Sequence, residues 1–188
     1  LNVYSVSREH TNPRFALAFA KGCGAPVVGG DYRGGVWAGF GSPVSWPSLM
    51  AARKAGSTWY YGDHGYFGRG HYYRITRNAF QHEGRGASNP TRQAPAVASW
   101  RKAGRHILVC PPDVKIAILM GFDADAWLSD VQRRLRDNSD RPVKIRPRTM
   151  ERQRPLLADL DNSWALVTWG SNAAVEALML GVPVFCTG

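Results

Sequence analysis

The sequence predicts an α/β protein built from two parallel-sheet lobes. Three observations lead there. Strand-like and helix-like stretches alternate over 1–83 and again over 104–188. The stretch between them, 84–103, is rich in Gly, Pro, Ser and Arg and carries no such alternation. Hydrophobic residues make up 44 % of the 188-residue chain, a globular composition. Alternation of strands and helices is the signature of a parallel sheet. The expected organisation is therefore a first lobe at 1–83, a linker or loop at 84–103 and a second lobe at 104–188.

In the first lobe "LNVYSVS" reads as a strand. "NPRFALAFAKGCG" reads as a helix, with Asn12 as its cap, Pro13 in its first turn and glycines at its end. "APVV" and "GGVWAGFG" are the next strands. "SPVSWPSLMAARKAG" is a helix capped by Ser45, with Leu49, Met50 and Ala52 as its apolar side and Gly56 as its stop. "STWYYGD" is a strand. A short helix is expected near Trp100 in the linker.

The second lobe repeats the pattern. "RHILVCPP" is a strand closed by prolines. "DADAWLSDVQRRLRDN" is a helix with acids at its start and arginines near its end, as the helix dipole prefers. Trp127, Leu128, Val131 and Leu135 share one face of it. "RPVKIRPR" is a strand, "RPLLADLDN" a short helix and "WALVTW" a strand. The stretch "TWGSNAAVEALMLGVPVF" then reads as strand, turn, helix, strand.

Charge narrows the partners. Lys and Arg number 24 against 14 acids, a net charge of +10. Such a balance favours polyanions: nucleic acid, phosphorylated ligands or an anionic surface. The plainer alternative is a basic surface that only confers solubility. Cys23, Cys110 and Cys186 are odd in number, far apart and set in apolar runs, so they are expected to be reduced, mostly buried thiols of a cytoplasmic protein. No stretch reaches the roughly 20 apolar residues that span a bilayer. "LNVYSVSREH" lacks the pattern of a signal peptide, and the missing initial Met suggests a processed or trimmed chain.

Ligands of open parallel sheets bind at the carboxyl ends of strands, where helix N-termini favour phosphate. "TWGSN" suits that geometry. Gly170 lets the backbone turn closely, and Ser171 or Asn172 either caps the helix or meets a phosphate oxygen. Glu176, read in the second helical turn, is placed to accept from sugar hydroxyls. Gly181 is expected to end the helix in the left-handed region, and Pro183 to set the start of the next strand. The ordinary alternative is a capped helix with one solvated acid.

Asp63 and His64 stand at a strand end, where they suit acid–base chemistry or the orientation of a hydroxyl; the alternative is an Asp that caps a turn. His64 and His71 are seven apart with no third ligand, so no metal is expected. From Tyr60 to Arg85 aromatic residues interleave with Arg69, Arg74, Arg77 and Arg85. Arginines neutralise phosphates and rings stack on exposed bases. The alternative is a core strand with one basic face, and "HYYRITRN" alternates accordingly.

"SNAAVEALMLGVPVF" resembles the nucleotide-binding signature of GT-B glycosyltransferases, most closely the capsule-polysaccharide and Kdo-transferase-like members. "VWAGFGSPVSWPSLMAARKAGSTWYYGDHGYFGRGHYYRIT" is similar to an earlier segment of the same family. There Asp63, His64, Gly65 and Tyr66 stand where the family commonly has Glu-Asp-Gly-Phe, with an extra Gly before Arg69. Arg146, Pro147 and Arg148 replace a basic strand end that commonly carries His-Pro.

The resemblance implies two Rossmann-like lobes around a cleft. The form would be minimal or truncated, because such lobes usually need more residues and this sequence stops just after a strand. It implies a nucleotide sugar as donor substrate, with Gly170, Ser171, Asn172, Arg146 and Arg148 at its phosphates and Glu176 at its ribose. It implies catalysis near Asp63 or His64, with Tyr66, Arg69 and Arg74 on the acceptor side. The acceptor would be a surface glycan or its lipid-linked precursor. Together with the +10 charge, a hydroxylated base in DNA also fits, as for enzymes that some viruses carry into the host cytoplasm; the base would be flipped out of the duplex. Rival readings are a non-catalytic nucleic-acid-binding module on a degenerate transferase fold, and a nucleotide-sugar epimerase or hydrolase.

Overall fold

The computed structural model describes residues 1–4, 11–66 (backbone alone at 11–13), 71–81, 95–149 and 154–187. It divides into two compact units, Leu1–Pro90 and Thr91–Gly188. Each holds one sheet flanked by helices, so the protein is an α/β protein with mainly parallel sheets.

The first unit runs β1 (Asn2–Tyr4), α1 (Thr11–Cys23), β2 (Val27–Val28), β3 (Trp37–Phe40), α2 (Trp46–Lys54), β4 (Trp59–His64) and β5 (Tyr73–Arg77). The sheet order is β2-β1-β3-β4-β5. All pairs are parallel except β4 with β5, which is antiparallel. Successive side chains of a strand point to opposite faces, and each face here has its own core. Val3 and Ala38 pack on Ala16 and Ala20 of α1. Tyr4, Trp37, Trp59 and Tyr61 pack on Leu49 and Ala52 of α2.

Close approach of α1 to the sheet needs Gly62. A Cβ there would lie 2.1 Å from Cζ of Phe15. Three details differ from the sequence reading. Met50 is exposed, and Ser48 joins Leu49 and Ala52 on the buried side of α2, where it accepts from the Trp37 indole at 3.0 Å. Ser45 sits at the cap position but makes no capping bond. Its hydroxyl instead donates to the Phe40 carbonyl at 2.7 Å, which ties the end of β3 to the start of α2. Helix α1 begins at Thr11, one residue before the expected cap; the side chain of Asn12 lies outside the described residues.

The second unit runs β6 (His106–Cys110), α3 (Val114–Met120), α4 (Ala124–Asn138), β7 (Val143–Ile145), α5 (Leu156–Leu160), β8 (Ser163–Thr168), α6 (Ala173–Met179) and β9 (Val184–Cys186). Its four strands are all parallel, in the order β7-β6-β8-β9. One face packs Ile107, Val109 and Val167 against Trp127, Leu128, Val131 and Leu135, the apolar stripe expected of α4. The other packs Leu108, Leu160, Leu166, Ala177 and Val182. Asp123 caps α4, accepting the backbone N–H of Asp125 at 2.8 Å and of Ala126 at 2.9 Å.

No helix forms near Trp100: 95–104 is irregular. This segment finds its hydrogen bonds in the α6–β9 turn instead. Ala98 N–H donates to the Met179 carbonyl at 2.9 Å, and Arg101 N–H to that of Gly181 at 2.7 Å. The expected linker over 84–94 lies outside the described residues. Of the three cysteines only Cys110 is buried, in β6 between β7 and β8; Cys23 ends α1 and Cys186 ends the edge strand β9, and both are exposed.

Candidate functional site

The strand order of the second unit fixes where its chain reverses direction. From β6 the chain moves outward to β7, then crosses back to β8 on the other side. The carboxyl ends of β6 and β8 therefore flank the switch point, the place where such sheets hold ligands.

Thr168, fully buried at the end of β8, builds that edge. Its hydroxyl donates to the Cys110 carbonyl of β6 at 2.8 Å and accepts the Ser171 N–H at 3.3 Å. The turn 169–171 is thereby locked to the neighbouring strand. Ser171 Oγ accepts the Ala173 N–H at 3.2 Å. Asn172 occupies the cap position of α6 with no side-chain capping bond. Glu176 lies in the first turn of α6, not the second, and is exposed.

Gly170 behaves differently from the expectation that the turn demands it. Its φ is not in the left-handed region, and an added Cβ would meet nothing within 4 Å. Gly181 is the glycine that the backbone requires. Its φ is +71°, and a Cβ would lie 2.1 Å from the Ser99 carbonyl oxygen.

The two arginines after β7 part company. Arg146 is buried, its guanidinium paired with Asp159 and donating to the Arg154 carbonyl at 2.6 Å. Arg148 is exposed at the same sheet edge and pairs with Asp113 at 2.6 Å. Asp113 follows β6 and caps α3 through the Lys115 N–H at 2.8 Å. Sequence reasoning passed over Asp113; its place after Pro111 and Pro112, before an apolar run, was the available signal. Phe122 and Trp169 add a tilted aromatic pair with centroids 4.9 Å apart.

In the first unit Asp63 and His64 close β4 at its carboxyl end but face opposite sides of the sheet. Asp63 looks to the α2 side. It pairs with Arg74 at 2.9 Å and accepts the His64 N–H at 2.7 Å. Arg74 also donates to the Tyr66 hydroxyl at 3.1 Å and the Phe80 carbonyl at 3.2 Å, and bonds Gln81. Its guanidinium lies 4.8 Å from the Tyr66 ring centre. Asp63, Tyr66 and Arg74 thus form one network, while Arg69 lies outside the described residues.

His64 looks to the α1 side. Its ring meets Phe40 edge-on at 5.2 Å and stacks on Tyr73 at 5.7 Å. The aromatic stretch is largely packing. Trp59 and Tyr61 meet Phe80, and Tyr73 meets Phe15 and Phe40. Burial pushes the Tyr61 phenol well above the ordinary tyrosine value; the nearby Asp63 carboxylate adds to the rise and Arg74 opposes it.

Among the described residues no group of three or more His, Cys, Asp or Glu is placed to hold a metal ion. None of their helices is long and apolar enough to cross a membrane. No family model and no curated protein sequence matches the chain.

Proposed function

We propose that the protein is a glycosyltransferase of GT-B type that takes its donor, a nucleotide sugar, at the carboxyl edge of the second unit's sheet. The observation that carries this is the turn 169–172 at the switch point. It presents Gly170 with open space over its Cα and leads into a helix with an exposed acid, Glu176, in its first turn. The fold itself asks for neither the glycine nor the acid. A phosphate approaching the backbone would explain the first, and a ribose hydroxyl donating to a carboxylate the second.

In this reading Ser171 and Asn172 meet the phosphates, and Arg148 shifts from Asp113 toward the leaving diphosphate. The acceptor oxygen bonds to the anomeric carbon of the sugar as the carbon–oxygen bond to phosphate breaks. The hydroxyl proton goes to a base, and the nucleoside diphosphate leaves. Positive groups at the departing phosphate lower the barrier because negative charge builds there. Asp63 or His64 serves as the base, but not both together, since they face opposite sides of β4. Tyr66 and Arg74 position the acceptor beside Asp63. The net charge of +10 favours an acceptor carried on a polyanion such as DNA over a neutral glycan.

The test is a thermal-shift panel of nucleoside mono- and diphosphates against the protein and its Glu176→Ala variant. One nucleotide is expected to raise Tm by several degrees, as ligand at 100 times Kd adds about 2.7 kcal/mol. The variant should keep its own Tm and lose the shift. No shift with any nucleotide sinks the donor reading and leaves a nucleic-acid-binding module, to be followed by DNA binding across a salt series.

A further inference from the structure

A groove of about 700 Å³ runs along α1 and the antiparallel strand β5 in the first unit. Phe15, Ala18, Phe19, Tyr73 and Ile75 form its walls. Its volume falls within the usual range for small-molecule sites, roughly 300–1,000 Å³, and its lining is similarly apolar. Ile75 is 43 % exposed there although it sits in a strand. The ends of the groove differ. At one lies Arg14, in the first turn of α1; at the other lie Gly22 and Cys23.

Among the described lining residues Arg14 is the charged one, and it has no ion-pair or hydrogen-bond partner among the described residues. The first turn of α1 carries no acid, so the positive end of the helix dipole adds to the guanidinium. At the far end Gly22 leaves the groove open, since a Cβ there would meet nothing within 4 Å. From Arg14 to Gly22 the helix rises roughly 12 Å, at about 1.5 Å per residue.

We infer that this groove binds a free single-chain amphiphile, an alkyl or prenyl chain with one anionic head. The head, a phosphate or carboxylate, pairs with Arg14 at the start of α1. The chain lies on Phe15, Phe19 and Ile75 and points to Gly22. Anionic heads are selected because, among the described residues that line the groove, one is a cation and none is an acid. Chain length is selected because each methylene buried on the apolar floor adds affinity until the Gly22 end is reached. The site is separate from the donor turn at 169–172 and does not depend on that reading.

Titration calorimetry with monomeric dodecyl phosphate tests it, run on the full chain. Saturable binding of one molecule is expected, with dodecanol at least tenfold weaker. Arg14→Gln should lose most of the preference for phosphate over alcohol. Gly22→Leu is the blocking variant. Gly22 lies within α1, and Leu is the better helix former, so the variant should hold or raise Tm. Its side chain would fill the tail end of the groove and weaken dodecyl phosphate at least tenfold, while octyl phosphate changes less. Equal affinity for dodecanol, or unchanged binding by a folded Gly22→Leu, overturns the inference. So does binding to anionic phospholipid vesicles that replaces single-site binding and ignores both variants, which would make the contact simple surface adsorption.

Discussion

Asp63 and Arg74 are direct register partners across the β4–β5 pair, and their side chains close at 2.9 Å on the α2 face of the sheet. Arg74 is the more deeply set, at 10 % exposure against 32 % for Asp63. The carboxylate therefore neutralises a buried guanidinium first. Any part it plays toward an acceptor hydroxyl is played from within that pair.

Asp63→Asn should destabilise the first unit by about 1–3 kcal/mol. A fully buried pair broken on one side loses about 3–5 kcal/mol, and the partial exposure of Asp63 reduces that. Urea unfolding reads the loss directly. Repeating it in an Arg74→Met background should shrink the effect of Asp63→Asn to below about 1 kcal/mol. Equal losses in both backgrounds would mean that the two side chains are not coupled.

Gly181→Ala should cost the second unit about 2 kcal/mol or more. The residue is left-handed, and a Cβ would drive into the Ser99 carbonyl. The irregular backbone at 98–101 would have to move, breaking the Arg101-to-Gly181 bond. Hydrogen exchange at the Arg101 amide should therefore speed up in the variant more than exchange in β6. Protection at Arg101 that matches the parent would refute the strap-like role of this segment.

These cases show why part of the molecule was legible from sequence. Helix α4, the left-handed Gly181 and the strands around them follow from local patterns: caps, apolar spacing and turn residues. Asp63 and His64 also lie in a local pattern. The two-residue period of a strand places neighbours on opposite faces, and reading them as one strand-end pair overlooked it. Helix α3 was missed because "VKIAILM" has too few polar positions to display a helical period. The remaining surprises depend on distant partners. Residues 95–104 bond to a turn some 80 positions later, and Arg146 turns inward only because Asp159 waits there. No local pattern carries that information.

Tyr61 gives a pH dependence of known sign. Burial raises the folded-state pKa above the ordinary 10.0, so the folded protein favours the neutral phenol. Below that ordinary value both states keep the proton, and the contribution of Tyr61 is fully present. Above it the unfolded chain ionises while the folded one does not, and stability falls as pH rises. Denaturation midpoints from pH 9 to 11 should decline for the parent and decline less for Tyr61→Phe. Identical slopes would show that Tyr61 is not the group responsible.

Arg146 and Arg148 separate architecture from chemistry at one sheet edge. Arg146 is 6 % exposed and bound by Asp159 and the Arg154 carbonyl, so Arg146→Ala strands a carboxylate that is itself only 14 % exposed. A loss of about 3–5 kcal/mol is expected from an uncompensated buried charge, and unfolding will show it. Arg154 also touches Asp159, at 3.1 Å, but from a mostly exposed position, so it compensates little. Arg148 is 57 % exposed, and its pair with Asp113 is worth about 0–1 kcal/mol. Arg148→Ala should leave Tm nearly unchanged. If the edge takes a nucleoside diphosphate, the same variant should weaken it about tenfold or more, since a charge-assisted bond to phosphate disappears. A normal Tm with unchanged nucleotide affinity would remove Arg148 from the donor site and leave the phosphates to the turn at Ser171 alone.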